Sequence, residues 1–280
     1  MANKLTTAEA VEIKRNIERT DASLSLSYIL EDKNFEHILS EWEYNKSLNR
    51  EFINKTSSSK IMTDFTFTID KKIVAGSSFF LLFHHYLYFS IPYKTCKLMG
   101  FKGICMLITE QSYDIDLIKK TALSLGVEAE VIILDSRGHF LRKALKLVKR
   151  DYAIFMPADM PFGFDKKGIK EYFYNQKLNT LKYRDGYLRV ARTLKQLPIL
   201  LVNDVIGDNE VLIKSYPIRS SDNLNEQLCL RVLKEPEKFE KLNDFKKLFN
   251  FPVPDKEFSF HVFDKIYTYW PKKQQLFLNI

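Results

Sequence analysis

A chain of 280 residues, 45% hydrophobic and 28% charged, has the composition of an ordinary soluble globular protein with a sizeable core. It offers no run near the roughly 18 apolar residues that cross a bilayer, and its first residues, Met-Ala-Asn-Lys-Leu-Thr-Thr, lack the apolar stretch of a signal peptide. The formal charge of +8 falls outside residues 1–60, which hold 9 Lys+Arg against 10 Asp+Glu, so the main body favours an acidic partner.

The elements follow in chain order. Thr6-x-x-Glu9 is a capping box and predicts a helix to about Arg19. Across residues 22–53, Leu30, Ile38, Leu39, Trp42, Leu48 and Phe52 recur among charges, as in one or two amphipathic helices. Ser57-Ser58-Ser59 reads as a loop. Phe65, Phe67 and Ile69 alternate with Thr66 and Thr68, the period of a strand. Phe79 to Phe83 is a continuous apolar run bounded by small residues, which suits a strand buried on both faces. It runs straight into His84-His85. Pro92 fits only the first turn of a helix, so the next helix starts close to it or kinks.

Beyond Gly100 the pattern alternates. Gly103 to Thr109 reads as a strand, Asp114 caps a helix that Gly126 ends, and Val131 to Leu134 is the next strand. Phe140 to Val148 is a helix and Ala153 to Met156 a strand, which implies parallel pairing with right-handed crossovers. A helix at about 186–196 and strands at Ile199 to Val202 and Val211 to Ser215 extend the sheet, and residues 222–249 read as helical. The aromatic tail around Tyr267 to Pro271 has no assigned place. The whole reads as one α/β domain over residues 61–280, a central, mostly parallel sheet flanked by helices. A helical N-terminal extension over residues 1–60 precedes it.

Candidate chemistry gathers at strand ends, where open α/β sheets hold their ligands. The His84-His85 pair stands at one such end, and Asp159, in Met-Pro-Ala-Asp-Met-Pro-Phe-Gly, at another. Neutral imidazole takes a proton from an attacking hydroxyl or amine near pH 7. Arg142, Lys143, Lys146, Lys149 and Arg150 put five positive charges into nine residues with no acid among them. That pattern is either a solvated helix face or a contact for an acidic carrier or a phosphate. The three cysteines show no metal-ligand spacing and read as reduced, buried thiols of a cytoplasmic protein. The 22 Phe and 14 Tyr fill a core or line an apolar channel.

The order of these segments resembles the bacterial lipid A late acyltransferase family, within the wider lysophospholipid acyltransferase group. His85-Tyr86-Leu87-Tyr88-Phe89-Ser90 stands where that family has His-aromatic-Gly-Asn-Trp-Glu at the end of a strand. The basic helix leading to Asp159, the segment Asp185 to Val202, and Leu233-Lys234-Glu235-Pro236-Glu237-Lys238-Phe239 are similar to later segments of the family, the last to its Pro-Glu-Gln-Tyr. The likeness covers roughly residues 60–250 and rests on the order of motifs. The family's carboxylate, five residues after the histidine, is replaced by Phe89 after His84 and by Ser90 after His85. The family's N-terminal membrane-spanning helix is replaced by a polar one.

The resemblance implies a glycerolipid acyltransferase-like fold and transfer of a fatty acyl group from an acyl carrier protein or coenzyme A thioester. The acceptor is a hydroxyl or amine of a lipid precursor or biosynthetic intermediate. His85 is the expected base and His84 its alternate, with Ser90 orienting His85 and Asp159 the acid that reaches in. Arg142, Arg137, His139 and Arg189 are the expected substrate contacts, and the acyl chain is expected in an apolar channel beside the histidine strand. No cofactor, no metal and no nucleic acid enters. The expected location is cytoplasmic, with peripheral contact to the inner face of the membrane allowed. Two rivals remain: a nucleotide-sugar transferase using Asp114-Ile115-Asp116 with a divalent metal, and a non-catalytic acyl-binding member of the same fold.

Overall fold

The computed structural model describes residues 5–30, 35–53, 64–108, 115–134, 138–159, 169–175 and 178–279. Two long helices open the chain, α1 (Thr7–Ile29) and α2 (Glu36–Ile53). The Thr6 capping box is formed, with the Thr6 hydroxyl accepting from the Glu9 N–H and the Glu9 carboxylate from the Thr6 N–H. Strand β1 (Thr66–Ile69), the short α3 (Lys71–Val74), β2 (Phe79–Leu82) and α4 (Ser90–Met99) follow. The alternation then holds through β3 (Gly103–Ile108), α5 (Ile115–Ser124), β4 (Glu128–Ile133), α6 (His139–Val148) and β5 (Tyr152–Pro157). Ser57-Ser58-Ser59, Thr109 and Asp114 lie outside the described residues.

The second half is less regular. A hairpin of β6 (Lys170–Asn175) and β7 (Asn179–Tyr183) precedes α7 (Gly186–Leu194), β8 (Ile199–Gly207), β9 (Glu210–Pro217) and α8 (Ser221–Lys234). Residues 222–249, expected to be helical, are so only in part. Pro236 has no N–H to donate and disfavours a helical Glu235. Two 3₁₀ turns (Pro236–Lys238 and Leu242–Asp244) and α9 (Phe245–Leu248) follow α8 instead. The aromatic tail forms a three-stranded antiparallel sheet, β10 (Phe258–Val262), β11 (Lys265–Trp270) and β12 (Gln275–Asn279). It docks on α1 through Val262, Tyr267 and Ile13, and through the Tyr269 hydroxyl donating to the Asp21 carboxylate.

Seven strands build the central sheet in the order β1-β9-β8-β2-β5-β3-β4. The five from β8 to β4 are mutually parallel, whereas β9 turns back antiparallel on β8 and carries β1 parallel to itself. The continuous apolar runs arise because both faces are covered. Phe79, Leu81 and Phe83 join a core with Leu26, Trp42, Leu147, Val190 and Leu228 from α1, α2, α6, α7 and α8. Phe80 and Leu82 join the opposite core with Ile91 and Ile118 from α4 and α5. Each such side chain contributes about 1.5–3 kcal/mol on burial, which fixes β2 at the centre. Packing at the start of β3 is close enough to demand glycine, because a Cβ on Gly103 would lie 2.7 Å from the Glu128 carbonyl oxygen. No helix among the described residues is long and apolar enough to cross a membrane.

Candidate active site

Strand register brings His84 to Asp159. β2 and β5 run parallel with Phe79 opposite Ile154 and Leu82 opposite Pro157. The same register, carried two residues past the last pair, sets His84 against Asp159. The Asp159 carboxylate holds the histidine twice: Oδ1 lies 2.7 Å from His84 Nδ1, and Oδ2 accepts from the His84 backbone N–H at 2.6 Å. A carboxylate on Nδ1 fixes the ring's orientation and puts the lone pair of the neutral imidazole on Nε2. The Tyr88 and His84 rings meet edge to face with their centroids 4.8 Å apart.

On the other flank, β8 pairs with β2 through Phe80 opposite Ile199 and Leu82 opposite Leu201. That register points Asn203 at the same strand end. Its buried side-chain amide donates to the carbonyls of Tyr86 and Leu87 at 3.1 and 3.0 Å and to Ser90 Oγ at 3.2 Å. Those acceptors belong to the tight connection from β2 into α4. Leu87 there takes φ 48°, a left-handed conformation that costs a side-chain-bearing residue on the order of 1–3 kcal/mol. Asn203 is the clamp that holds it. Ser90, expected to orient His85, faces this connection instead: its hydroxyl donates to the Leu87 carbonyl at 2.7 Å.

His85 has a different environment. Its ring is 1% exposed, with the ring of Phe239 edge-on at 4.9 Å. Its Nε2 lies 3.2 Å from Glu235 Oε1, off the line of a hydrogen bond, and Nδ1 has no hydrogen-bond partner among the described residues. Glu235 ends α8 and also pairs with Arg231 Nη1 at 2.6 Å and Lys238 Nζ at 2.8 Å. Arg231 continues to Asp204 at 2.8 Å, and Asp204 to Lys214 at 2.5 Å. Burial pushes the His85 imidazole below its ordinary value, more than Glu235 raises it. Glu235 is pushed up by burial, but His85 and Lys238 outweigh that and hold it well below the usual carboxylate range. The same segment touches the other histidine through its backbone, the Glu240 N–H donating to the His84 carbonyl at 2.9 Å.

The remaining expected residues divide by position. α6 leaves the carboxyl end of β4, so its first turns place the exposed His139 and Arg142 at the edge of the sheet where His84 stands. Arg189 on α7 meets the start of α6, its guanidinium 3.5 Å from where a Cβ on Gly138 would sit. Arg137 lies outside the described residues, and so do residues 109–114 and 160–168. Of the Asp-x-Asp pair, only Asp116 is described, in the first turn of α5. No three metal-ligating side chains cluster among the described residues. The cysteines are unsuited to nucleophilic attack, because burial pushes the Cys96 thiol up to about 11, Cys229 up to about 12 and Cys105 higher still.

Two residues of the site were not singled out from the sequence. Asn203 had a signal, a lone polar residue closing the apolar run Ile199 to Val202. Glu235 had one as well, an acid directly before the Pro236 that breaks a helix. The chain matches no family model and no curated protein.

Proposed function

We propose that this chain is an acyltransferase with a glycerolipid acyltransferase-like fold, and that His84 is its general base. The observation that carries this reading is the His84–Asp159 pair at the carboxyl edge of the parallel strands. An acceptor hydroxyl or amine attacks the thioester carbonyl carbon while His84 Nε2 takes its proton. The carbon–sulfur bond then breaks, the carrier thiol leaves with a proton, and the acyl group remains on the acceptor. Asp159 orients the ring throughout and stabilises the imidazolium that forms. A carboxylate supplied by the neighbouring strand thus replaces the one that the resembling family keeps five residues after its histidine.

A further feature supports the reading. His139, Arg142 and Arg189 line the same edge as the histidine, where the two guanidinium groups suit the phosphates of a carrier arm or of coenzyme A. Both rings are buried, His84 6% and His85 1% exposed, and His85 is the weaker base on this geometry because its carboxylate is shared with two cations.

Incubation of the purified chain with acyl-carrier-protein or acyl-coenzyme A thioesters and a cell lysate, followed by mass spectrometry of acylated products, tests the proposal. Wild-type protein should consume the thioester, whereas His84→Ala and Asp159→Asn should not. Thioester bound without turnover would make the chain an acyl-binding protein, and turnover that survives both substitutions would remove His84 from the chemistry.

A further inference from the structure

At the opposite edge of the sheet, where the parallel strands begin, α7 ends and β8 starts around a hollow of about 390 Å³. Its floor is pinned to the strand that carries the histidines: the Ser78 N–H donates to Gln196 Oε1 at 2.9 Å, and Ser77 Oγ donates to the Leu197 carbonyl at 2.8 Å. Three cations line the hollow. Arg192 and Lys195 come from the end of α7, and Arg219 from the turn between β9 and α8. No acidic side chain lines it, and none of the three has an ion-pair partner among the described residues. All three are exposed, so it is their convergence on one hollow without an acid that sets them apart.

Helix electrostatics account for part of this arrangement and leave the rest. Arg192 and Lys195 sit in the last turn of α7, where a cation complements the negative end of the helix. Arg219 is on the wrong side of that rule. It directly precedes Ser220, the cap of the 14-residue α8, so a positive side chain stands against the positive end of a helix. Three exposed cations around a single hollow with no acid in its lining make it locally positive, the sign that attracts an anion. Apolar Leu188, Leu197 and Ile218 complete the walls, and Leu197 is 46% exposed although it is anchored by its backbone. The volume falls in the small-ligand range of about 300–1,000 Å³, far larger than a phosphate ion needs.

We propose that this hollow binds an amphiphilic phosphate, a phosphate ester carrying an apolar chain or ring, at a site separate from the His84 edge. The ester oxygens meet Arg192, Lys195 and Arg219, and the apolar portion lies against Leu188, Leu197 and Ile218. Titration calorimetry on the full chain tests it with dihexanoyl phosphatidic acid, phenyl phosphate, inorganic phosphate and dihexanoyl phosphatidylcholine. At least one of the first two should bind, and the better one tells a lipid headgroup from a soluble ester. Arg192→Glu/Arg219→Glu should weaken that binding roughly tenfold or more. Lys195→Gln should weaken it less, and the control Lys119→Glu/Lys120→Glu on α5, beneath the other face of the sheet, should leave it unchanged. The site is overturned if neither ester binds, if the control weakens binding as much as the Arg192/Arg219 variant, or if inorganic phosphate binds as tightly as both esters.

Discussion

His84 and His85 are neighbours in the chain, and each has a carboxylate within 3.2 Å, yet they occupy opposite sides of the sheet. Alternation at the strand end sends His84 toward Tyr88, in the core beneath α4 and α5, and His85 toward Phe239, in the core beneath α8. The carboxylates differ as much as the rings. Both oxygens of Asp159 bind His84, so among the described residues the acid acts on that one alone. Glu235 divides its charge among His85, Arg231 and Lys238. A histidine beside an acid is therefore not by itself a catalytic pair. What matters is whether the acid is dedicated to the ring or is part of a network that holds a helix end in place.

The largest effect should come from breaking the dedicated pair. His84→Ala and Asp159→Asn should each lower the acyl-transfer rate by about 10⁴-fold, by analogy with removal of a base or of the acid that orients it. His85→Gln should leave the rate per folded molecule within about threefold, since a ring outside the reaction contributes nothing to its transition state. Steady-state thioester consumption measures all three. An inactive His85→Gln beside an active His84→Ala would return the base to His85 and make Glu235 its orienting acid.

Stability should rank the two acids the other way. Glu235→Ala takes one of two carboxylates from the buried Arg231, which keeps Asp204, and removes the partner of the half-buried Lys238, a loss of about 2–3 kcal/mol. Asp159→Asn keeps a polar group of the same size beside His84 and should cost about 1–2 kcal/mol. Urea unfolding of both variants supplies the comparison. Equal losses would mean that Asp159 is as structural as Glu235.

The difference between the two histidines was only partly legible in the sequence. Periodicity located β2, β3, β5 and β8, because a strand buried on both faces leaves an unbroken apolar run such as Phe79 to Phe83. Pairing partners cannot be read from such runs, since β2, β5 and β8 are equally apolar and only their order in the sheet brings position 159 to 84 and 203 to the turn after 85. No carboxylate stands five residues after either histidine; Asp159, named from the sequence as the acid that reaches in, comes from the end of the adjacent strand and meets His84 rather than His85. The antiparallel return of β9 had a local sign in Gly207-Asp208-Asn209, turn-forming residues between two apolar stretches. Glu235 was hidden by the helical pattern of 222–249, in which Pro236 was the one mark of a break.

Asn203 belongs to the same comparison, since its amide holds the connection that leaves the histidine pair. Asn203→Ala removes the donor to three acceptors and leaves the carbonyls of Tyr86 and Leu87 buried without it, a loss of about 1–3 kcal/mol. Activity should fall by roughly tenfold through displacement of the ring, with the response of rate to pH unchanged because no proton-carrying group is lost. A variant with full activity and unchanged stability would mean that Leu87 keeps its φ of 48° without Asn203.

The smallest effect is electrostatic and concerns His85 alone. In the unfolded chain its imidazole titrates at about 6.5. In the fold, burial opposes the charged form, Arg231 and Lys238 add repulsion, and together they outweigh the attraction of Glu235, so the native ring takes its proton only at lower pH. Below about pH 6.5 the unfolded state therefore binds a proton that the native state does not, and stability falls as pH falls, with a limiting slope of about 1.4 kcal/mol per pH unit. The contribution is complete above 6.5 and is lost progressively down to the native value. Urea midpoints between about pH 7.5 and 5.5 should decline less in His85→Gln than in wild type, and the difference cancels the titration of every other group. An identical decline would mean that His85 titrates alike in both states. A wild type that gains stability toward pH 5.5, relative to the variant, would mean that Glu235 overcomes burial and that His85 is a charged partner in the network rather than a neutral ring enclosed by it.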